Sequence, residues 1–177
     1  TAWFNNVNFI AEDLGSLTPQ VHKMLADSGL PGMKVLEFAF DPNSLSDYLP
    51  HRIGENSICY AGTHDNNTLR GWIDEENPET LAFAREYLGI DDDADLADAV
   101  LRAGMRSKAE LFIAQMQDWL GLGVDARMNT PGTVGGNWAW RAKAGFDSKA
   151  LAAQIKAECA VYCRCNADAQ NVKELAI

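Results

Sequence analysis

The sequence predicts an α/β protein in which short strands end in polar loops and lead into helices. Three observations predict it. Short apolar or β-prone runs stop abruptly at polar or turn-forming clusters: Glu12-Asp13-Leu14-Gly15, Asp41-Pro42-Asn43-Ser44 and Thr63-His64-Asp65-Asn66-Asn67. The segments between them carry helix caps and apolar residues at helical spacing. Hydrophobic residues make up 47% and charged residues 23%, the balance of a globular chain able to bury a core. Strand, polar loop and helix in repeated succession is the pattern of parallel-sheet α/β architecture.

The elements follow in order. Asn8 to Ala11 reads as a buried strand that delivers Glu12 and Asp13 to a loop. A helix follows, with Thr18 as N-cap, Pro19 at its first position, Val21, Met24 and Leu25 on one face, and Gly29 just past its end. Met33 to Phe40, interrupted by Lys34 and Glu37, reads as a second strand, and Ser57 to Gly62 as a third. Asn77 caps a helix with Pro78 at its start and Gly89 at its end, and a shorter helix runs around Leu96 to Ala103. Together these make a helical insertion or outer layer over about residues 76–105. Leu111 to Met116 fits either period. Arg127 to Arg141 is a loop rich in Gly, Asn and Trp, and Leu151 to Cys163 reads as a closing helix.

A net charge of -10 argues against nucleic acid as a partner, because such binding rests on Lys and Arg displacing counterions. No apolar run approaches the about 20 residues of a membrane span, and Thr1 to Asn8 has no leader character, so a cytoplasmic protein is expected. Cys59, Cys159, Cys163 and Cys165 form no disulfide framework or zinc spacing, and reduced thiols are expected. His22 and His51 read as surface residues without a metal, and no cofactor is called for.

Acids placed directly after successive parallel strands gather at one face of a sheet, and paired carboxylates are the groups that cleave glycosidic bonds. Glu12 and Asp65 are therefore candidate catalytic acids. Each has a structural alternative: Glu12-Asp13 as a helix-entry cluster, and His64-Asp65 as a capped turn. Trp138 and Trp140 offer aromatic faces to sugar rings or to packing, and Asn129 is either a hydroxyl ligand or a turn former. Lys34, alone in an apolar run, is expected to pair with a buried acid such as Glu12 or Glu37, unless it is exposed at a strand end.

Four blocks carry a resemblance: Ile10-Ala11-Glu12-Asp13-Leu14-Gly15, Leu30-Pro31-Gly32-Met33-Lys34-Val35-Leu36, Gly62-Thr63-His64-Asp65-Asn66, and Arg127-Met128-Asn129-Thr130-Pro131-Gly132-Thr133 with Asn137-Trp138. In this order they resemble the 4-α-glucanotransferases of the amylomaltase type. The resemblance covers Asn8 to Arg141.

It implies the C-terminal part of a (β/α)₈ barrel and a retaining transfer of α-1,4-glucan segments, with malto-oligosaccharides as partners. By it, Glu12 matches the acid/base and Asp65 the transition-state-stabilising acid. His64 resembles the partner that hydrogen-bonds the same sugar ring, Asn129 and Trp138 are carried beside it as substrate-binding candidates, and Leu111 to Met116 becomes a strand. The family's nucleophile, an Asp in an Arg-x-Asp stretch, has no counterpart in the sequence. A closed barrel takes about 250 residues, so the N-terminal barrel half is an expected partner and the chain alone is expected to be inactive. An amylase-type hydrolase and a non-catalytic glucan-binding module are the other readings.

Overall fold

Three short parallel strands at the centre of the molecule set the direction in which its loops project. The computed structural model describes residues 8–165; the N-terminal residues before Asn8 and the end of the tail after Cys165 lie outside the described residues. The strands are β1 (Gly32–Val35), β2 (Ser57–Tyr60) and β3 (Leu111–Ile113), in the order β1-β2-β3. Val35 is in register with Tyr60, and Tyr60 with Ile113. Because all the strands run the same way, the segments after Val35, Tyr60 and Ile113 emerge at one end of the sheet.

Two strand expectations are corrected. Asn8 to Ala11 is not a strand: its link to the sheet is one backbone bond, Ala11 N to Pro31 O at 2.9 Å, and a single bond is no ladder. The acid that follows does the anchoring, since Asp13 Oδ1 accepts the Met33 amide at 2.6 Å. The second strand stops at Val35 rather than Phe40, because Leu36–Phe38 tightens into a 3₁₀ turn that drives Leu36 and Glu37 into the interior. Leu111–Ile113 is a strand as the resemblance implied, but Met116 already opens a helix.

Helix α1 (Pro19–Ser28) begins and ends where its caps predict: the Thr18 side chain accepts from the Val21 amide, and Gly29 adopts φ 68°, the left-handed conformation that a residue without Cβ takes at little cost. Helices α2 (Leu69–Glu75), α3 (Pro78–Leu88) and α4 (Leu96–Arg106) lie in the connection from β2 to β3. In α4, Leu96, Ala97, Val100, Leu101 and Gly104 are all buried, so one face of this helix is part of the core. Leu36, Phe40, Ile53, Leu69, Trp72, Leu96 and Val100 belong to one buried cluster. Phe40 meets Trp72 and Tyr87 at 6.0 and 5.9 Å between ring centroids.

Helix α5 (Met116–Trp119) follows β3, and α6 (Lys149–Val161) closes the described chain. Arg164, just past α6, donates to the carbonyls of Met105, Ser107 and Ala109 at 2.9, 2.6 and 2.6 Å. It thereby satisfies carbonyls at the C-terminal end of α4 and the turn after it, which have no helical partner of their own. The Arg102–Glu158 ion pair, at 2.9 Å, links α4 to α6 directly. No helix among the described residues is long and apolar enough to cross a membrane.

A candidate glycoside-transfer site at the strand ends

The turn after β2 presents His64 and Asp65, and its own hydrogen bonds show which residue shapes it. Asn66 Oδ1 accepts from the Thr63 amide at 3.0 Å and from the Thr63 hydroxyl at 2.8 Å. Asn66 thus closes the turn back onto Thr63, and Asp65 is left for other contacts. Asp65 does not cap its turn, and Glu12 and Asp13 do not enter a helix, because α1 is capped by Thr18 and has no acid in its first turn.

Asp65 is instead held from across the sheet end. Asn129 Nδ2 donates to Asp65 Oδ1 at 2.6 Å, and His64 Nε2 lies 3.3 Å from the same oxygen. Both contacts use Oδ1, so among the described residues Oδ2 keeps its capacity to accept a hydrogen bond from a ligand. The backbone fixes the same geometry: the Asn129 amide donates to His64 O at 3.1 Å. Arg127 bridges the two loops, donating from Nη2 to Asp65 O at 2.8 Å and from Nε to Asn129 O at 2.9 Å.

Trp138 packs on the His64 ring at 5.0 Å between centroids. It reaches that place with φ 60°, an uncommon conformation for a bulky residue. The Trp138 amide donates to Met128 O at 2.7 Å, and Arg141 Nη1 donates to Trp138 O at 3.0 Å, so the conformation is fixed from both sides. Trp138 is 52% exposed, an unusual degree for so large an apolar residue. Trp140, the other tryptophan of the loop, lines a different cavity together with Phe146.

Glu12 is exposed and lines a cleft of about 360 Å³ together with Met33, Tyr60, His64, Asp65 and Gln115. Asp65, His64, Asn129 and Trp138 therefore meet by direct contact, and Glu12 shares their cleft. Its neighbour Asp13 turns inward. Lys34 pairs with Asp13, at 3.8 Å, rather than with Glu12 or Glu37, and lies over the Tyr48 ring at 5.3 Å from its centroid. Among the described residues no group of three or more His, Cys, Asp or Glu side chains is arranged to hold a metal ion.

Two residues of this region escaped the reading of the sequence. Arg127 stood in a quoted block without a role, and its guanidinium is what joins the loops. Glu37 looked like an interruption of a strand. It is buried beneath the Asp65 turn, and its pKa is raised to about 9. Burial is the main cause and the Asp118 charge adds to it, against a hydrogen bond from Asn66 and the charge of Arg127.

The family model described as 4-alpha-glucanotransferase matches residues 2–147 of the chain. The chloroplastic/amyloplastic 4-alpha-glucanotransferase of Arabidopsis thaliana is 46% identical over 135 residues, which are 76% of this chain and 23% of that protein. The 4-alpha-glucanotransferase of Clostridium butyricum is 40% identical over 161 residues, 90% of this chain and 33% of that protein. Among solved structures, the amylomaltase from Streptococcus agalactiae in complex with acarbose superposes with a TM-score of 0.84 at 39% identity, over 89% of this chain and 32% of that one. The chain thus spans about a quarter to a third of the length of these relatives. With a family match over most of its length and a shared fold, the chain belongs to the 4-alpha-glucanotransferase family, glycoside hydrolase family 77.

Proposed function

We propose that this chain supplies two of the three acids of a retaining 4-α-glucanotransferase, whose remaining acid and barrel strands come from the rest of a longer protein. One observation carries the reading: Asp65 is fixed by Asn129 and His64 at the mouth of the cleft that Glu12 also lines. An acid held by hydrogen bonds on one oxygen, with the other available, is suited to grip sugar hydroxyls and to stabilise the positive charge that develops at the anomeric carbon. An exposed carboxyl across the cleft is suited to proton transfer, first to the departing glycosidic oxygen and then from the incoming sugar 4-hydroxyl.

In this reading Glu12 is the acid/base and Asp65 the stabilising acid, while His64, Asn129 and Trp138 bind substrate. Trp138 offers its exposed face to a sugar ring. The parallel strands are the C-terminal part of a (β/α)₈ barrel, and residues 76–105 are an enlarged helical crossover within it. The ligands are malto-oligosaccharides or other α-1,4-glucans, for which the acarbose complex of the related amylomaltase is support. The protein acts in the cytoplasm, where thiols such as the free Cys59, Cys159, Cys163 and Cys165 are kept reduced.

The nucleophile must lie about 5 Å from the acid/base in a retaining enzyme, and the family's Arg-x-Asp stretch is absent from this sequence. The chain alone is therefore expected to leave maltotriose unchanged. Adding a polypeptide with the N-terminal barrel half of an amylomaltase should yield glucose and longer chains, read by chromatography. Glu12→Gln should then lower turnover by about 10²- to 10⁴-fold. Turnover by the chain alone, or a Glu12→Gln assembly as active as its parent, would overturn the assignment. Products never longer than the substrate would select a hydrolase instead.

A further inference from the structure

We infer that Glu37 is a positioning residue for the turn that presents His64 and Asp65, acting through Asn66 from inside the protein. Its bearing on glucan transfer rests on the function proposed above; the geometry does not. The Glu37 amide donates to Ala61 O at 3.2 Å, which ties the 3₁₀ turn after β1 to the end of β2. The side chain then passes under Gly62. A Cβ at residue 62 would strike Glu37 Oε1 and would lie 3.1 Å from its Cδ, so the glycine is the notch through which the carboxyl reaches the turn.

There it faces Asn66, whose Cβ would lie 3.2 Å from the same added Cβ. The Asn66 carbonyl oxygen is already occupied by Thr63, so the NH₂ group is the part of Asn66 left to face the carboxyl. Glu37, Asn66, Thr63 and the Asp65 amide, which donates to Thr63 Oγ1 at 3.3 Å, form one continuous path from the interior to the exposed acid. Asn129, bonded to Asp65, is the far end of it.

The charged groups facing Glu37 decide its form. Asp118 on α5, Arg127 after the 3₁₀ turn Val124–Ala126, and Glu76 at the end of α2 all act on it. Arg127 commits its guanidinium to the carbonyls of Asp65 and Asn129. Glu37 Oε1 and Asp118 Oδ2 are both buried without a hydrogen-bond partner, in carboxyls close enough to repel. Two buried anions with no committed cation are costly, and a proton retained on Glu37 removes one of them. The group is then a neutral acid at neutral pH. Its ionisation places a second buried charge beside Asp118 and beneath the Asp65 turn.

Nuclear magnetic resonance of the full chain, without sugar, tests this. With ¹⁵N and glutamate-carboxyl ¹³C labels, the signals of the Thr63 and Asn66 amides and the Asn129 side-chain amide are followed from pH 6 to about pH 10 in the parent, Glu37→Gln and Glu37→Ala. In the parent the three signals should move together with the Glu37 carboxyl, at a midpoint near 9. Glu37→Gln keeps the size and polarity of the neutral acid and cannot ionise, so it should show the parent's neutral-pH spectrum at every pH. Glu37→Ala should displace the signals even at neutrality.

A shared transition that persists in Glu37→Gln, a Glu37 carboxyl that titrates near 4.5, or a Glu37→Gln turn as displaced as that of Glu37→Ala would each overturn the inference. None of these outcomes depends on turnover. A failure of the glucan-transfer reading therefore leaves this result standing, and the reverse also holds.

Discussion

Asp65 and Asn66 are adjacent polar residues in one turn, and their partners divide the work between them. Asn66 bonds within the turn and packs beside the Glu37 carboxyl, while Asp65 bonds outward to Asn129. A stretch such as Thr63-His64-Asp65-Asn66 shows that a polar turn is present but not which residue shapes it, because that depends on partners brought in from positions 37 and 129. The blocks containing Glu12, His64, Asp65, Asn129 and Trp138 could be picked out as polar loops, and the structure brings His64, Asp65, Asn129 and Trp138 into contact, with Glu12 in the same cleft. Glu37 and Arg127 were not legible: a buried acid and a bridging arginine acquire their roles only from long-range neighbours. Glu37 also makes a prediction about stability. Its folded pKa, about 9, lies above the ordinary 4.5, so the folded state holds a proton that the unfolded state releases between these values. The stabilisation is full below about pH 4.5 and is lost as pH rises through about 9. Urea titrations should find unfolding free energy falling over that window at up to about 1.4 kcal/mol per pH unit from this one group. Glu37→Gln should flatten the dependence; an unchanged slope would show that another group holds the proton. Gly62→Ala addresses the same site, since its methyl group meets the Glu37 carboxyl, and a loss of about 1–3 kcal/mol in the same titration is expected from overpacking.

Elements bounded by their own caps stood where the sequence placed them. Thr18, Asn77 and Gly89 close or open their helices through hydrogen bonds made within four residues, which is why α1 and α3 were legible. Strand ends were not. The run from Met33 to Phe40 is apolar apart from Lys34 and Glu37, and what ends β1 at Val35 is the inward turn of Leu36 and Glu37 against the end of β2, a tertiary effect absent from the local pattern. The depth of α4 was also hidden, because it depends on what the helix meets. A Cβ at Gly104 would strike the Phe112 ring, so α4 approaches β3 more closely than any larger residue permits. Gly104→Ala raises intrinsic helix propensity, worth about 1 kcal/mol in an exposed helix, yet it should destabilise the protein by about 1–3 kcal/mol through this clash. Denaturation midpoints with unchanged slopes decide the sign, and a stabilised variant would mean that Phe112 has room to rotate away. Arg164→Ala should act on the same end of this helix. It leaves carbonyls of Met105, Ser107 and Ala109 without their donor, and faster amide exchange in the last turn of α4 is the expected sign.

At the scale of the whole molecule, the sheet shows an arrangement that its helices do not complete. β3 is at the edge of the described sheet, and Leu111 on it is 47% exposed. On the other side of the sheet, Phe9 and Ile10 are each 45% exposed beside the segment that bonds to Pro31. A strand edge carries backbone donors and acceptors ready to pair, and apolar residues alongside it favour pairing with another copy. In the proposed barrel both borders meet further strands, which cover these residues and leave no edge. For the chain on its own, the expected consequence is self-association that grows with concentration. Net charge does not abolish it, because the border residues concerned are apolar. Sedimentation velocity across a concentration series should show a rising weight-average mass. Leu111→Lys, which places a charge on the edge strand at an already exposed position, should reduce it without lowering stability by more than about 0.5 kcal/mol. Addition of the N-terminal barrel half should suppress self-association in favour of a single complex of one copy of each. A chain that stays monomeric at every concentration, with Leu111→Lys indistinguishable from its parent, would mean that the edge is already covered, and the barrel arrangement would lose this support.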